Sequence, residues 1–323
     1  GRYISSGFNG ILMPSTDPMR RDIQLDLFPS NIVESIEVQK TFSADQPATS
    51  TGGSINVKTK GIPDEAVGSV SVSMGVNTET IGNDVLGYRD SNTEWLGYDN
   101  GLRDLHPGVL TGTDQALRLD ICEENCDDSN ATPRAQAMAY LLTFKPDYDV
   151  ELVSANPSLG FDANFGDRLN YKDGEIGYYF AGSYDRDTNH RGDASLEDSS
   201  NLVGNYDRTK DTVSVSGYGV LGYEFDSGEV LSKTTLLRST DDVTRETIGV
   251  DDEGNLREKY ILEYVERQLL SQSFSGFKEF ATTGFDSVID WRLGYSETDR
   301  IEPDRRSYYF DTAGFRTTGL QRR

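Results

Sequence analysis

The sequence predicts a mainly β fold in which about seven antiparallel strands form part of a transmembrane β-barrel, preceded by a small α+β unit. Three observations predict it. Hydrophobic residues make up only 35% of the 323, yet the chain holds 17 Tyr, 14 Phe, 2 Trp and 32 Gly, which suits strands and turns better than helical bundles. Hydropathy alternates with a period of two in one segment after another. The stretches between those segments are alternately long and short, as where surface loops alternate with tight turns in outer-membrane barrels.

Composition also excludes. With 31 basic against 54 acidic residues the net charge is −23, which argues against a nucleic-acid surface, since that would present a basic face. No apolar run approaches the roughly 18 residues of a spanning helix, so a helical membrane protein is excluded and a membrane β-barrel is not. At about 150 residues per domain the length suggests about two domains. Low hydrophobicity with high charge would favour disorder, but the aromatic content and the ordered alternation oppose it. The chain starts at Gly1 and shows no basic segment followed by an apolar one. An export signal is therefore expected outside it, and the sequence reads as a fragment.

Taken in order, residues 1–64 have their own grammar. Asp26-Leu27-Phe28-Pro29-Ser30 predicts a turn or short helix leading into a strand over Asn31-Ile32-Val33-Glu34-Ser35-Ile36-Glu37-Val38-Gln39-Lys40. Gly52 and Gly53, which permit positive φ or close backbone approach, open a second strand through Ile55, Asn56 and Val57. This is not a phosphate loop, because Ser54 follows the glycines and no helix pattern begins. Next, Val70, Val72, Met74 and Val76 interleave with Ser69, Ser71, Ser73 and Gly75. The same division recurs at Leu159, Phe161, Ala163 and Phe165 against Ser158, Gly160, Asp162 and Asn164, and at Ile176, Tyr178, Phe180 and Tyr184 against Glu175, Gly177, Tyr179 and Ser183. It continues at Val213, Val215, Leu221, Tyr223 and Phe225 opposite Ser214, Ser216, Tyr218 and Glu224, and at Phe285, Ile289, Trp291, Leu293 and Tyr295 opposite Asp286, Asp290, Arg292 and Ser296. Two further strands, about 230–240 and 267–280, alternate less cleanly because of Lys233 and Lys278.

The connections are about 80, 8, 26, 4, 19 and 4 residues long. A soluble sandwich turns every 8–12 residues or so and has no reason for this rhythm. In lipid every backbone group must be paired within the structure, so such strands span a membrane only as a closed barrel with the apolar face outward and the Asp, Arg and Ser face lining the lumen. A secreted β-sandwich with one wet face remains the rival fold.

The run from Leu25 to Lys60 resembles the C-terminal half of the plug domain of TonB-dependent outer-membrane receptors. It matches that family's plug motif at Pro29, Ser30, Val33, Ser35, Ile36, Glu37, Val38, Lys40, Gly52, Gly53, Ile55, Asn56, Val57 and Thr59. Residues 1–10 are similar to an earlier plug segment, and Glu94-Trp95-Leu96-Gly97-Tyr98-Asp99-Asn100-Gly101-Leu102-Arg103 resembles a further motif of some of these receptors, with Glu94 in place of its first Asp. The resemblance implies a plug remnant over 1–64 and, over 65–323, the first part of a 22-stranded barrel. Long extracellular loops are then expected at about 78–157, 185–210, 241–259 and 298–323. It further implies active uptake, energised by TonB and its inner-membrane complex, of an iron-siderophore, cobalamin or an oligosaccharide across the outer membrane. Lipid and lipopolysaccharide would surround the wall. A passive porin or adhesin is the alternative that would need no plug.

Several residues are candidates for contact with a ligand. Tyr88, Trp95 and Tyr98 would stack on a sugar or an aromatic chelator, or else pack the loop on the barrel rim. Arg20 and Arg21 would reach an anionic ligand or pair with Asp286 or Asp290. Cys122 and Cys126 would close a small disulfide ring in an oxidising exterior or remain thiols. Zinc would need four ligands, and the only histidines are His106 and His190. Glu123, Glu124, Asp127 and Asp128 offer hard oxygen donors to surface Ca²⁺ or form a solvated run. No nucleophile–base or paired-carboxylate arrangement is legible, so neither an enzyme nor a bound cofactor is expected.

Overall fold

The computed structural model describes residues 4–15, 25–41, 52–78, 80–88, 91–104, 121–122, 132–133, 150–197, 202–252, 254–282, 285–303 and 305–311. The chain begins with a small sheet. Strands β1 (Ser5–Phe8), β2 (Ile11–Leu12), β3 (Val33–Gln39) and β4 (Ser54–Thr59) lie in the order β2-β1-β4-β3, with β1 parallel to β4 and the other pairs antiparallel. The turn or short helix expected before β3 is a single 3-10 turn, Leu25–Leu27, because Pro29 keeps the residue before it out of helical geometry. Among the described residues the unit is thus a mixed sheet without an α-helix. Gly53 opens β4 as expected: its φ is 113°, and a Cβ there would lie 2.5 Å from the Gln39 carbonyl oxygen.

The second sheet begins at β5 (Val67–Gly75). An excursion follows, with β6 (Asp84–Gly87), β7 (Ile121–Cys122), β8 (Thr132–Pro133) and β9 (Glu151–Ser154), in which β6 pairs with β9 and β7 with β8. The wall then runs through β10 (Ser158–Tyr171), β11 (Gly174–Glu197), β12 (Val203–Phe225), β13 (Gly228–Val250), β14 (Leu256–Thr282) and β15 (Phe285–Ile301), each antiparallel to its neighbour. β16 (Arg306–Asp311) takes up the same edge of β14 where β15 leaves it, so the wall is seven strands wide. All seven predicted strands are present. Among the described residues β5 pairs only with β10 and β15 only with β14, and the sheet does not close.

The connections are sided. At one end two residues separate β10 from β11, β12 from β13, and β14 from β15; at the other lie the long excursion and the links 198–202, 251–255 and 302–305. Here the strands correct the expected loops, since most of 185–210 and 241–259 is strand. The ladder runs unbroken through pairs such as Arg208↔Arg245 and Glu246↔Tyr260. The side chains there are polar on both faces, so hydropathy stops alternating although backbone pairing continues.

Period two sorts every wall residue onto one of two faces. The outer face carries Val72, Phe161, Phe165, Phe180, Leu221, Phe274 and Leu293, all exposed. On β11 this band runs from Ile176 up to Tyr184, about nine residues, comparable with the 9–11 of a membrane-spanning strand. The inner face carries Ser71, Asp162, Ser183, Ser216 and Ser273. The small sheet packs there, in one core that joins Phe8, Ile32 and Val57 to Tyr179, Tyr218, Val220, Leu237 and Leu269. Lys233, ambiguous in the sequence, belongs to this inner face and donates to the Thr59 carbonyl at 3.4 Å.

Candidate functional site

Two places gather the residues that the sequence singles out: the seam between the small sheet and the wall, and the outer face above the apolar band.

At the seam, Asn31 Nδ2 donates to Asp162 Oδ1 (3.3 Å) and to the Gly182 carbonyl (3.4 Å), while the Tyr179 hydroxyl donates to the Asn31 carbonyl at 3.3 Å. The Tyr218 hydroxyl reaches Thr59 Oγ1 at 3.0 Å and the Lys60 carbonyl. On the far side Thr298 Oγ1 donates to the Ser15 carbonyl at 3.3 Å. The motif residues are the fasteners inside the small sheet. Asn56 Oδ1 accepts from Gly10 N at 3.0 Å, and Asn56 Nδ2 donates to Glu37 at 3.3 Å. Glu37 also pairs with Lys58 at 2.6 Å; the lysine hydrogen bond and then that from Asn56 hold its carboxyl below the ordinary 4.5. Pro29, Ser30, Val33, Ile36, Val38, Lys40 and Gly52 lie along the same sheet or its turns. These contacts are mostly single hydrogen bonds, each worth about 0.5–1.5 kcal/mol. The seam is therefore held mainly by the shared apolar core, to which these hydrogen bonds add small terms.

The second place is a clasp. The segment 91–104, through a 3-10 turn at Glu94–Leu96, lies on the outer faces of β12, β13 and β14. Gly97 sits in the left-handed region, where a Cβ would meet Thr240 Oγ1 at 2.8 Å; its carbonyl accepts from Arg238 Nε and Thr240 Oγ1, both at 2.7 Å. Only glycine combines this turn with so close an approach. Arg238 also stacks under the Tyr98 ring at 3.4 Å and pairs with Glu266 at 2.6 Å, and Glu266 accepts from Asp99 N at 2.8 Å.

Arg103, only 5% exposed, is the centre of the clasp. Its Nη1 meets Glu94 at 2.6 Å and Asp99 at 2.9 Å, Nη2 meets Asp242 at 3.2 Å, Nε donates to the Tyr88 hydroxyl at 2.9 Å, and the guanidinium lies 4.0 Å from the Tyr264 ring centroid. Burial pushes the guanidinium down, but Tyr88, Asp242 and Glu94 overcome it and leave it raised. Burial first, then Asp242, pushes the Tyr88 phenol well above its ordinary range, so it stays a neutral acceptor. Beside the clasp, β6 and β9 roof a cavity of about 110 Å³ floored by the Arg186–Asp211 ion pair.

The candidate ligand contacts divide accordingly. Tyr88 is committed to Arg103 and Tyr98 to Arg238, so both fasten their segments to the wall, while Trp95 is 55% exposed on the same segment as Tyr98. Arg20, Arg21 and Cys126, like Glu123, Glu124, Asp127 and Asp128, lie outside the described residues; Cys122 falls in β7. Among the described residues no cluster of metal-binding side chains occurs, and no helix is long and apolar enough to cross a membrane. Sequence reasoning missed an inner-face row, Arg191, Arg208 and Arg245, because it fell in segments taken for loops. Its signal was there: basic residues at every second position, Arg208 and Lys210, between strand-forming Val, Tyr and Thr. No protein-family model, no curated protein and no solved structure matches the chain.

Proposed function

We propose that this chain belongs to a TonB-dependent receptor that actively imports a scarce or bulky ligand, an iron chelate, cobalamin or an oligosaccharide, across the outer membrane of a bacterium. One observation carries the reading: a wall of sided, antiparallel strands exposes an apolar band on one face, while a separate small sheet packs against its other face. Such a band is stable against lipid acyl chains, and polar residues on the other face suit a water-filled lumen. In lipid the unpaired edges of β5 and β15 would leave backbone groups unsatisfied, so the working wall needs further strands to close it as a barrel. The small sheet then stands as the plug, in keeping with the motif over Pro29–Thr59. Energy from TonB and its inner-membrane complex would be needed to loosen it, because the seam contains a shared apolar core as well as single hydrogen bonds.

The test uses the polypeptide that carries this chain, expressed in a Gram-negative host with and without TonB. The expected outcome is a protein in the outer-membrane fraction that resists alkaline carbonate extraction, and growth on its ligand that is lost without TonB. Uptake that persists without TonB would indicate a passive pore. A protein that stays soluble and monodisperse without detergent would overturn the reading in favour of a secreted sandwich.

A further inference from the structure

We propose that the inner face of the upper wall holds an oxyanion site, built by Arg191, Arg208 and Arg245 around Tyr206, which takes a small ligand bearing carboxylate or phosphate groups. The proposal rests on the uptake reading and narrows its cargo. Arg191 is the direct cross-strand partner of Arg208, and Arg208 of Arg245. Period two places the row on the same face as Ser216 and Tyr218, the face on which the small sheet packs. It stands eight positions beyond Ser216, or about 26 Å at ~3.3 Å per residue, at the end of the wall that carries the long connections.

Like charges directly opposite one another in a sheet repel and destabilise it. Three arginines in one row therefore ask for a reason, above all in a chain of net charge −23 with acids to spare. Other basic residues of this face have taken partners: Lys210 and Arg267 share Asp241 at 2.9 and 2.8 Å, and Arg305 meets Glu263 at 3.7 Å. Arg191, Arg208 and Arg245 have no ion pair among the described residues. Two independent details point inward to a ligand. The Arg245 Nε is buried without a hydrogen-bond partner among the described residues, although its guanidinium is anchored 4.7 Å from the Tyr206 ring centroid. The ladder also slips between Arg191 and Ala194, with Asp193 at φ 50° and its N–H on Asp207 at 2.7 Å, and such bulges re-aim the side chains beside them. Arg191 Nη1 in turn reaches the Tyr206 hydroxyl at 3.4 Å. Planar guanidinium forks bind carboxylate and phosphate in paired hydrogen bonds. A neutral oligosaccharide would leave the repulsion unanswered.

The experiment titrates citrate, pyrophosphate and maltotriose into the complete detergent-purified protein by calorimetry. It compares wild type with R208Q, R208K, the triple R191Q/R208Q/R245Q, and R300Q as a control on the same face but outside the row, where Arg300 already pairs with Glu302. We expect citrate or pyrophosphate to bind, and whichever does identifies the oxyanion; maltotriose should not. Hydrogen bonds to charged groups are worth about 1.5–3 kcal/mol, so R208Q should weaken anion binding about tenfold or more. The triple variant should abolish it, R208K should recover only part, and R300Q should change nothing. The melting temperature without anion should stay the same or rise in R208Q, because a repulsion is removed. Undiminished anion affinity in the triple variant, no anion binding by wild type, or a fall in R208Q stability with affinity intact would each overturn the site. A protein that localises to the outer membrane and imports with TonB while failing these titrations would lose the site and keep the uptake reading.

Discussion

The lower and upper halves of the wall are made from the same strands and the same hydrogen-bond ladder, yet they solve different problems. In the lower half the outer face is bare and apolar from Val72 to Leu293, and the inner face is filled by the small sheet through Tyr179, Tyr218 and Leu237. In the upper half the outer face turns charged at Arg186, Arg238, Asp242 and Glu266, and protein covers it: the clasp 91–104 and the pair β6–β9. Its inner face carries like charges in register. A β-ladder dictates only that side chains alternate; what each face meets decides which side chains the strand can bear. The contrast fits a wall whose lower half lies in lipid and whose upper half rises into water.

The largest expected effect comes from breaking the clasp. Replacing Arg103 by Met would leave Glu94, Asp99 and Asp242 facing one another around a buried hole, and removing one partner of a buried charge network costs about 3–5 kcal/mol. Hydrogen exchange over residues 84–104 should accelerate strongly in R103M, while amides of the lower wall around Tyr178 and Leu221 keep their protection. Equal acceleration in both places would show that the two halves are one cooperative unit and would end the comparison.

A smaller effect is expected in the lower half. Leu221 is exposed at the middle of the outer band, between Tyr178 and Ser232 on the neighbouring strands. On the surface of a water-soluble protein, Leu221→Arg would change stability by about 0.5 kcal/mol or less. Against lipid it should cost about 2–4 kcal/mol near the midplane, measured by urea unfolding from bilayers. A negligible change there would remove the lipid from the comparison.

The same division explains what was legible in the sequence. The lower strands announce themselves because outer-side and inner-side residues differ in hydropathy, as with Ile176 and Tyr178 against Glu175 and Gly177, and so all seven were found, five of them with their faces and two, at Lys233 and Lys278, without. Above them, Arg186, Thr188 and His190 face one way and Asp187, Asn189 and Arg191 the other. Both faces are polar, and the period vanishes from hydropathy while it persists in the backbone. The clasp was visible as a motif but not as a clasp, because its anchors, Arg238, Asp242 and Glu266, lie about 140–170 residues further along the chain. Gly53 was readable because a strained backbone position leaves a glycine in the sequence. The cross-strand row of arginines leaves only a faint local mark, Arg208 and Lys210 two positions apart, because Arg191 and Arg245 lie on other strands.

The smallest effect belongs to the small sheet and separates it from both halves of the wall. Glu37 is exposed, and Lys58 and Asn56 hold its carboxyl below 4.5. A carboxyl depressed in the folded state adds stability that is present above the unfolded value and is lost as pH falls through the folded one. Acidification from about pH 4.5 downward should therefore lower the amide protection factors along β3 and β4 in the wild type, once the slower intrinsic exchange in acid is divided out. In E37Q, exchange should already be faster at neutral pH, and this extra pH dependence should disappear. Solvent screens so exposed a pair, so the change should appear only in exchange along this edge and not in the global unfolding of the wall. If acid loosens the wall to the same extent, the shared core makes the two sheets one cooperative unit, and the small sheet would not be the part that moves first.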